Sequence, residues 1–120
     1  VPVVFAKKGE TANSTDDKYV SQAYSFTHKR MNNVFVSKPY LNEGDQVLIV
    51  DDFLADGQAM MALIDIVKQA GANVVGLGVA IEKGQQKGGR ILRAAGYHLE
   101  SIAIIDSMDA EKQTVNFRKL

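Results

Sequence analysis

Apolar positions fall in short blocks separated by polar stretches, and the period inside each block predicts an element. Val1-Pro-Val-Val-Phe5 is almost wholly apolar and predicts a short buried strand, with Pro2 tolerable near its beginning. Ala6 to Lys18 is polar and has no period. It predicts a long exposed loop, a kind of segment usually functional or disordered. Tyr19 to Thr27 and Val34-Phe-Val36 are rich in aromatic and β-favouring residues, which predicts a hairpin arm with His28 to Asn33 as its turn. Leu41 to Asp45 reads as a turn and Gln46 to Val50 as the central buried strand. From Ala59 to Ala70, Met60, Leu63, Ile64 and Val67 repeat at helical spacing, and Gly71 stands where a helix C-terminal glycine belongs. Asn73 to Ile81 predicts a second buried strand. A polar loop (Glu82 to Gly88), a short helix (Gly89 to Ala95, ending at Gly96), a strand (Tyr97 to Ile105), a turn (Asp106 to Ala110) and a last short strand (Thr114 to Phe117) complete the chain.

Strands alternating with helices predict an α/β fold: a largely parallel sheet flanked by helices, with a β-hairpin arm. The length of 120 residues suits one domain with a real core, spanning 1–120. Fourteen Lys+Arg balance fourteen Asp+Glu, so no global charge points to nucleic acid or a membrane surface. Local basic clusters remain at Lys7-Lys8, His28-Lys29-Arg30 and between Lys83 and Arg93. The chain has no cysteine, which excludes disulfides and thiolate metal sites and fits a reducing compartment. No apolar run is long enough to span a bilayer, and no signal peptide is visible. The opening strand-like run without an initiator Met is expected to belong to a longer protein.

The candidate chemistry lies in Val47-Leu-Ile-Val-Asp-Asp-Phe-Leu-Ala-Asp-Gly-Gln-Ala59. An apolar strand runs into Asp51 and Asp52, then into a loop of small residues, then into a helix. Ligands of open α/β sheets bind beyond the carboxyl ends of strands. Backbone N–H groups of Ala55, Asp56, Gly57, Gln58 and Ala59, with the positive end of the helix, can cradle a phosphate. The adjacent carboxylates can accept from a sugar diol or hold a hydrated Mg2+. The plainer alternative is a buried strand whose acidic residues only satisfy a helix N-terminus. No Walker A loop and no Gly-x-Gly-x-x-Gly following a strand is present. Gly76-Leu-Gly78 lies inside a strand and suits close backbone packing.

At these residues the chain resembles the type I phosphoribosyltransferases, whose motif for phosphoribosyl diphosphate (PRPP) is a hydrophobic strand, two acidic residues, a loop with a central Gly, and a helix. The form Asp-Asp-Phe-Leu-Ala-x-Gly-Gln-Ala is similar to that of the bacterial xanthine phosphoribosyltransferases. Val1 to Lys8, Tyr24 to Thr27, Ile66 to Ala72, Gly76 to Lys83 and Gly96 to Ala103 extend the likeness over nearly the whole chain. The resemblance implies a type I phosphoribosyltransferase core, in part, and transfer of a phosphoribosyl group from PRPP to a 6-oxopurine, foremost xanthine, with release of diphosphate. It implies purine salvage, a cytoplasmic location, Mg2+ bound with PRPP rather than by a direct protein ligand, and a homodimer. Partners are then PRPP and the purine, with no nucleic acid and no membrane. A different class also carries such a motif: purine repressors that bind PRPP as an effector and catalyse nothing. Within the enzyme class, adenine or orotate as the base is a further alternative, and Lys83 argues against adenine.

The resemblance places Asp51 and Asp52 on the ribose hydroxyls, Ala55 to Ala59 around the 5-phosphate, and Lys83 on the purine. Lys83 is otherwise a solvated loop lysine. Lys7 and Lys8 are open between diphosphate contacts and surface lysines. Segment 7–33 corresponds to the arm that closes over PRPP and excludes water. Tyr24 and Phe26 read as apolar anchors of the hairpin and His28 as a turn residue. No residue is assigned as general acid or base. Asp56 departs from the Asn of the xanthine enzymes and puts a carboxylate in a phosphate cradle. Ala59 supplies no hydroxyl, as in those enzymes, and Gln85 stands where an aromatic often follows the lysine. Because the family has an earlier strand and diphosphate loop, chain 1–120 by itself is expected to turn over little.

Overall fold

Residues 2–9, 17–25, 29–109 and 114–118 are described by the computed structural model. The chain divides into two compact units, Val1–Val47 with Gln58–Val74, and Leu48–Gly57 with Val75–Leu120.

In the first unit, β1 (Lys7–Lys8), β2 (Lys18–Ser25) and β3 (Arg30–Ser37) form an antiparallel sheet in the order β1-β3-β2. The hairpin runs in continuous register from Lys18 opposite Ser37 to Ser25 opposite Arg30. Its aromatic and β-branched residues make the arm expected of them. The second strand starts earlier than an expected turn of His28 to Asn33 allows, because Asn32 and Asn33 pair with Ala23 and Gln22. Helix α1 (Gln58–Gln69) packs on β2 and β3. Its buried residues are Met60, Ala62, Ile64, Ile66 and Val67, and Ala23, Val34 and Val36 of the two strands are buried in the same unit. Gln69 at its end donates to the carbonyl of Val20 at 2.8 Å. Gly71 ends the helix as expected: its φ is +73°, its N–H reaches Lys68 O, and that of Ala72 reaches Val67 O, closing the terminal carbonyls.

Two expectations for this region change, and one element is new. Residues 2–6 form no strand, and Val3 and Phe5 are 75% and 80% exposed. The apolar composition of Val1–Phe5 signals a strand only where a neighbour supplies hydrogen bonds and a face to pack on, and none of the described residues does so. Lys7 and Lys8, read as loop, pair with Phe35 and Val34. Lys38–Tyr40 is a 3-10 turn led by Pro39. Val1, residues 10–16 and the expected hairpin residues Phe26, Thr27 and His28 lie outside the described residues.

The four-stranded sheet has the order β4 (Gln46–Leu54), β5 (Asn73–Lys83), β6 (Leu99–Asp109), β7 (Thr114–Phe117), and it is largely parallel. β5 and β6 pair in parallel from Leu77 opposite Leu99 to Lys83 opposite Ile105. β7 returns antiparallel to β6. Within the second unit, Ile49, Leu54, Leu77, Val79, Leu92, Leu99, Ile104 and Ile105 are buried. Helix α2 (Gly88–Ala94) packs on β6. The α/β class and the strand–helix alternation are therefore as the hydrophobic pattern predicts.

Here too the pattern misleads in places. β4 is not central but stands at the edge of the described sheet. Only alternate residues are buried: Ile49 is 6% exposed, Leu48 and Val50 are 61% and 69%. A continuous apolar run reports potential burial on both faces, while the partners present decide how much is realised. β5 runs on through Glu82 and Lys83, and β6 through Asp109, where loop and turn were expected. Ladder hydrogen bonds to a neighbouring strand outweigh the weak β-propensity of charged residues. Ala110 of the expected turn lies outside the described residues.

Candidate functional site

β4 carries Asp51 and Asp52 inside the strand, which continues two residues further to Leu54. The carboxylates turn back onto their own chain: Asp51 Oδ1 accepts the N–H of Asp52 and Asp52 Oδ1 that of Phe53, each at 2.8 Å. Such charge-assisted bonds hold the two side chains in set orientations. Asp51 is half-buried and Asp52 exposed. Leu54, 2% exposed, anchors the strand end.

The backbone then bends through Ala55, Asp56 and Gly57. Ala55 and Asp56 are half-buried and Gly57 is buried. Gly57 has φ +89°, a left-handed conformation strained for any residue with a Cβ. Gln58 and Ala59 open α1, whose first turn holds no acidic side chain. The first-turn amides of a helix have no partner within it, and its positive end favours an anion. Asp56 stands two residues before this point, with Gly57 between.

Lys83 is the last residue of β5 and is half-buried. Its Nζ lies 5.8 Å from the centroid of the Phe53 ring on β4. The chain leaves it in a tight turn closed by Gln86 N–H to Lys83 O at 3.0 Å, with Gln85 exposed. Gly84 permits this exit. Its N–H bonds Ile105 O at 2.7 Å, and a Cβ there would meet Arg118 Nη2 at 2.8 Å and Ile104 Cγ2 at 2.9 Å.

Beside Lys83, on β5 and not in the loop expected from its charge, is Glu82. Glu82 is 3% exposed and accepts a two-pronged bond from Arg93, Nη1 to Oε2 at 2.9 Å and Nη2 to Oε1 at 2.8 Å. Ser101 Oγ donates to Oε1 at 2.7 Å. The Arg93 bond holds the Glu82 carboxyl below the usual range; desolvation opposes this and Ser101 reinforces it. Arg93 is raised in return, chiefly by its bond to Glu82. The signal in sequence was a glutamate closing an apolar run with an arginine one helix later.

The segment after the turn touches the Ala55–Gly57 loop directly, since Gly88 donates its N–H to Ala55 O at 2.9 Å. Asp51, Asp52, Ala55, Asp56, Gly57 and Lys83 all belong to the second unit; Lys7 and Lys8 belong to the first, exposed on β1. Among the described residues, no three His, Asp or Glu gather around a common point. Two adjacent carboxylates suit a hydrated Mg2+ that draws its other ligands from phosphate and water. Also among the described residues, no helix is long and apolar enough to cross a membrane.

Residues 3–101 match the family described as "Phosphoribosyl transferase domain". The chain is 55% identical, over 118 residues, to the xanthine phosphoribosyltransferase of Bifidobacterium animalis subsp. lactis, and 54% identical over the same length to that of Lachnoclostridium phytofermentans. These alignments cover 98% of this chain and 61% of each relative, so the chain spans about three-fifths of their length. Among solved structures, the adenine phosphoribosyltransferase of Rhodothermus marinus is similar in fold, with a TM-score of 0.71 at 24% identity, over 85% of this chain and 55% of that one. The enzyme of Giardia lamblia complexed with 9-deazaadenine gives a TM-score of 0.71 at 25% identity, over 84% of this chain and 55% of that one.

Proposed function

The chain belongs to the phosphoribosyl transferase domain family, and from that membership we propose that the protein carrying it transfers a phosphoribosyl group from PRPP to xanthine, forming the nucleotide and releasing diphosphate. The carrying observation is a strand that bears Asp51 and Asp52 near its carboxyl end and runs through Leu54 into the Ala55–Gly57 loop and α1, in a chain 55% identical to a named xanthine phosphoribosyltransferase. The whole chain then serves as one phosphoribosyltransferase-like domain, with segment 7–33 as its closing arm.

In the proposed reaction a purine nitrogen attacks C1 of the ribose as the bond to the diphosphate oxygen breaks. Asp51 and Asp52 hold the ribose hydroxyls, and their backbone hydrogen bonds keep the carboxylates set before substrate arrives. The amides of Ala55 to Ala59 bind the 5-phosphate. Lys83 donates to a carbonyl oxygen of the purine, which favours a 6-oxopurine over adenine with its amino group. Lys7 and Lys8 are the proposed contacts of the diphosphate. Asp51 and Asp52 are also the residues that would face Mg2+ brought in with PRPP, whose chemistry is to neutralise the leaving diphosphate. Arm closure excludes water from a centre prone to hydrolysis. A cytoplasmic homodimer working in purine salvage completes the reading.

The test mixes the full-length protein with PRPP, Mg2+ and each purine separately and follows nucleotide formation. Xanthine-selective product is expected. PRPP binding without product on any base would replace the enzyme with an effector-binding regulator.

A further inference from the structure

Helix α2 begins with two buried glycines, Gly88 and Gly89, and each lies where a side chain has no room. A Cβ on Gly88 would stand 2.5 Å from Ala55 O, 2.8 Å from Gly57 N and 2.9 Å from the carbonyl carbon of Asp56. Every one of these is a backbone atom of the loop, so no side-chain rotation relieves the clash. The approach is mutual: a Cβ on Gly57 would lie 3.3 Å from Gly88 Cα. Gly88 N–H also bonds Ala55 O at 2.9 Å. A first-turn amide, which a helix leaves unpaired, is thus spent on the loop.

The opposite side of this first turn is anchored. The space a Cβ would take on Gly89 is occupied by the Glu82 carboxylate, with Arg93 Nη1 at 2.9 Å. Glu82 is itself fixed by Arg93 and Ser101 and precedes Lys83 in the chain. The start of α2 is therefore clamped to the end of β5 and presses on the Ala55–Gly57 backbone.

We propose that Gly88 is a positioning residue for PRPP: by close packing and one hydrogen bond it sets the backbone of Ala55–Gly57 so that the amides converge on the 5-phosphate. This rests on reading that loop as the phosphate cradle. Adding a methyl group to a packed contact forces backbone shifts, and amides moved by a few tenths of an ångström lose phosphate affinity. Gly88→Ala is expected to weaken PRPP binding at least about tenfold.

The experiment uses the full-length protein labelled with 15N-glycine, together with calorimetric titration of PRPP in the presence of Mg2+. Gly88→Ala should shift the Gly57 amide resonance without ligand and weaken PRPP binding, while Arg90→Ala, on the exposed side of the same helix, should do neither. An unmoved Gly57 resonance, or a moved one with unchanged PRPP affinity, overturns the positioning role. A wild-type protein that binds no PRPP, whatever the glycine spectra show, instead overturns the cradle reading and the role built on it. If Gly88→Ala does not fold, amide exchange in the wild type decides. PRPP should slow exchange at Gly57 and Gly88 together, and protection of Gly57 alone overturns the proposal.

Discussion

Lys83 holds its ammonium group 5.8 Å from the centre of the Phe53 ring, so the lysine proposed to meet the purine rests on the strand that carries the acidic pair. Phe53 is 51% exposed, and a cation over an exposed ring gains about 0.5–1 kcal/mol. Phe53→Leu should therefore leave Lys83 less well aimed and raise the KM for xanthine roughly two- to fivefold, with the KM for PRPP little changed and Phe53→Tyr near wild type. Steady-state kinetics on the full-length protein provide the check. An unaltered KM for xanthine in Phe53→Leu means that the ring does not orient the lysine.

Glu82 contributes to stability with a definite pH dependence. Its folded pKa is lowered, mainly by the bond from Arg93, so its contribution is complete above the unfolded glutamate pKa of about 4.3. It is lost as pH falls through the lower folded value. Glu82→Gln should cost about 2 kcal/mol near neutral pH, the scale of hydrogen bonds to charged groups. Because Arg93 is 41% exposed, water can solvate it once unpaired and limits the loss. Urea unfolding of both proteins over a pH series should show a constant gap from neutral to about pH 5 and a narrowing one in more acid solution. A gap that does not narrow in acid would count against the ion pair as its source.

Why the hydrophobic pattern revealed some features and not others follows from where each one is decided. The helix Gln58–Gln69, its terminal Gly71 and the hairpin arm are set by neighbours within a few residues, and all were legible. So was the strand–loop–helix frame around Asp51 to Ala59. Residues 2–6 and the two faces of β4 depend on what lies beside them in space, and there the apolar runs overstated burial. Glu82 was misplaced for the converse reason. A charge reads as solvent-facing until its partners are known, and Arg93 and Ser101 come from α2 and β6. Gly88 and Gly89 carried a signal, a glycine pair opening a helix, but only the packing against Ala55–Gly57 and Glu82 gives it meaning.

Asp56 places a carboxylate in the loop proposed to hold a phosphate, half-buried and two residues before α1. A like charge several ångströms from a dianion in partly screened surroundings costs about 1 kcal/mol. Asp56→Asn should tighten PRPP binding roughly fivefold on that scale. Calorimetry at two salt concentrations is the check, with the gain shrinking at high salt. Equal affinities for the two proteins would show that this carboxylate does not face the phosphate.

Lys83→Gln separates the two halves of the proposed site. The substitution keeps a hydrogen-bond donor at the end of β5 and removes the charge. Gly84 and the Lys83–Gln86 turn are backbone features that it leaves in place. If the ammonium donates to a purine carbonyl oxygen, losing a charged partner costs about 1.5–3 kcal/mol, so kcat/KM for xanthine should fall by between about tenfold and 150-fold. PRPP affinity, assigned in the proposed site to Asp51, Asp52 and the loop, should stay within about twofold, since sites without shared partners act nearly additively. A matched loss of both would show that Lys83 serves the phosphate side. A xanthine rate that survives the change would remove this lysine from the purine site, and with it the charge-based preference for an oxopurine.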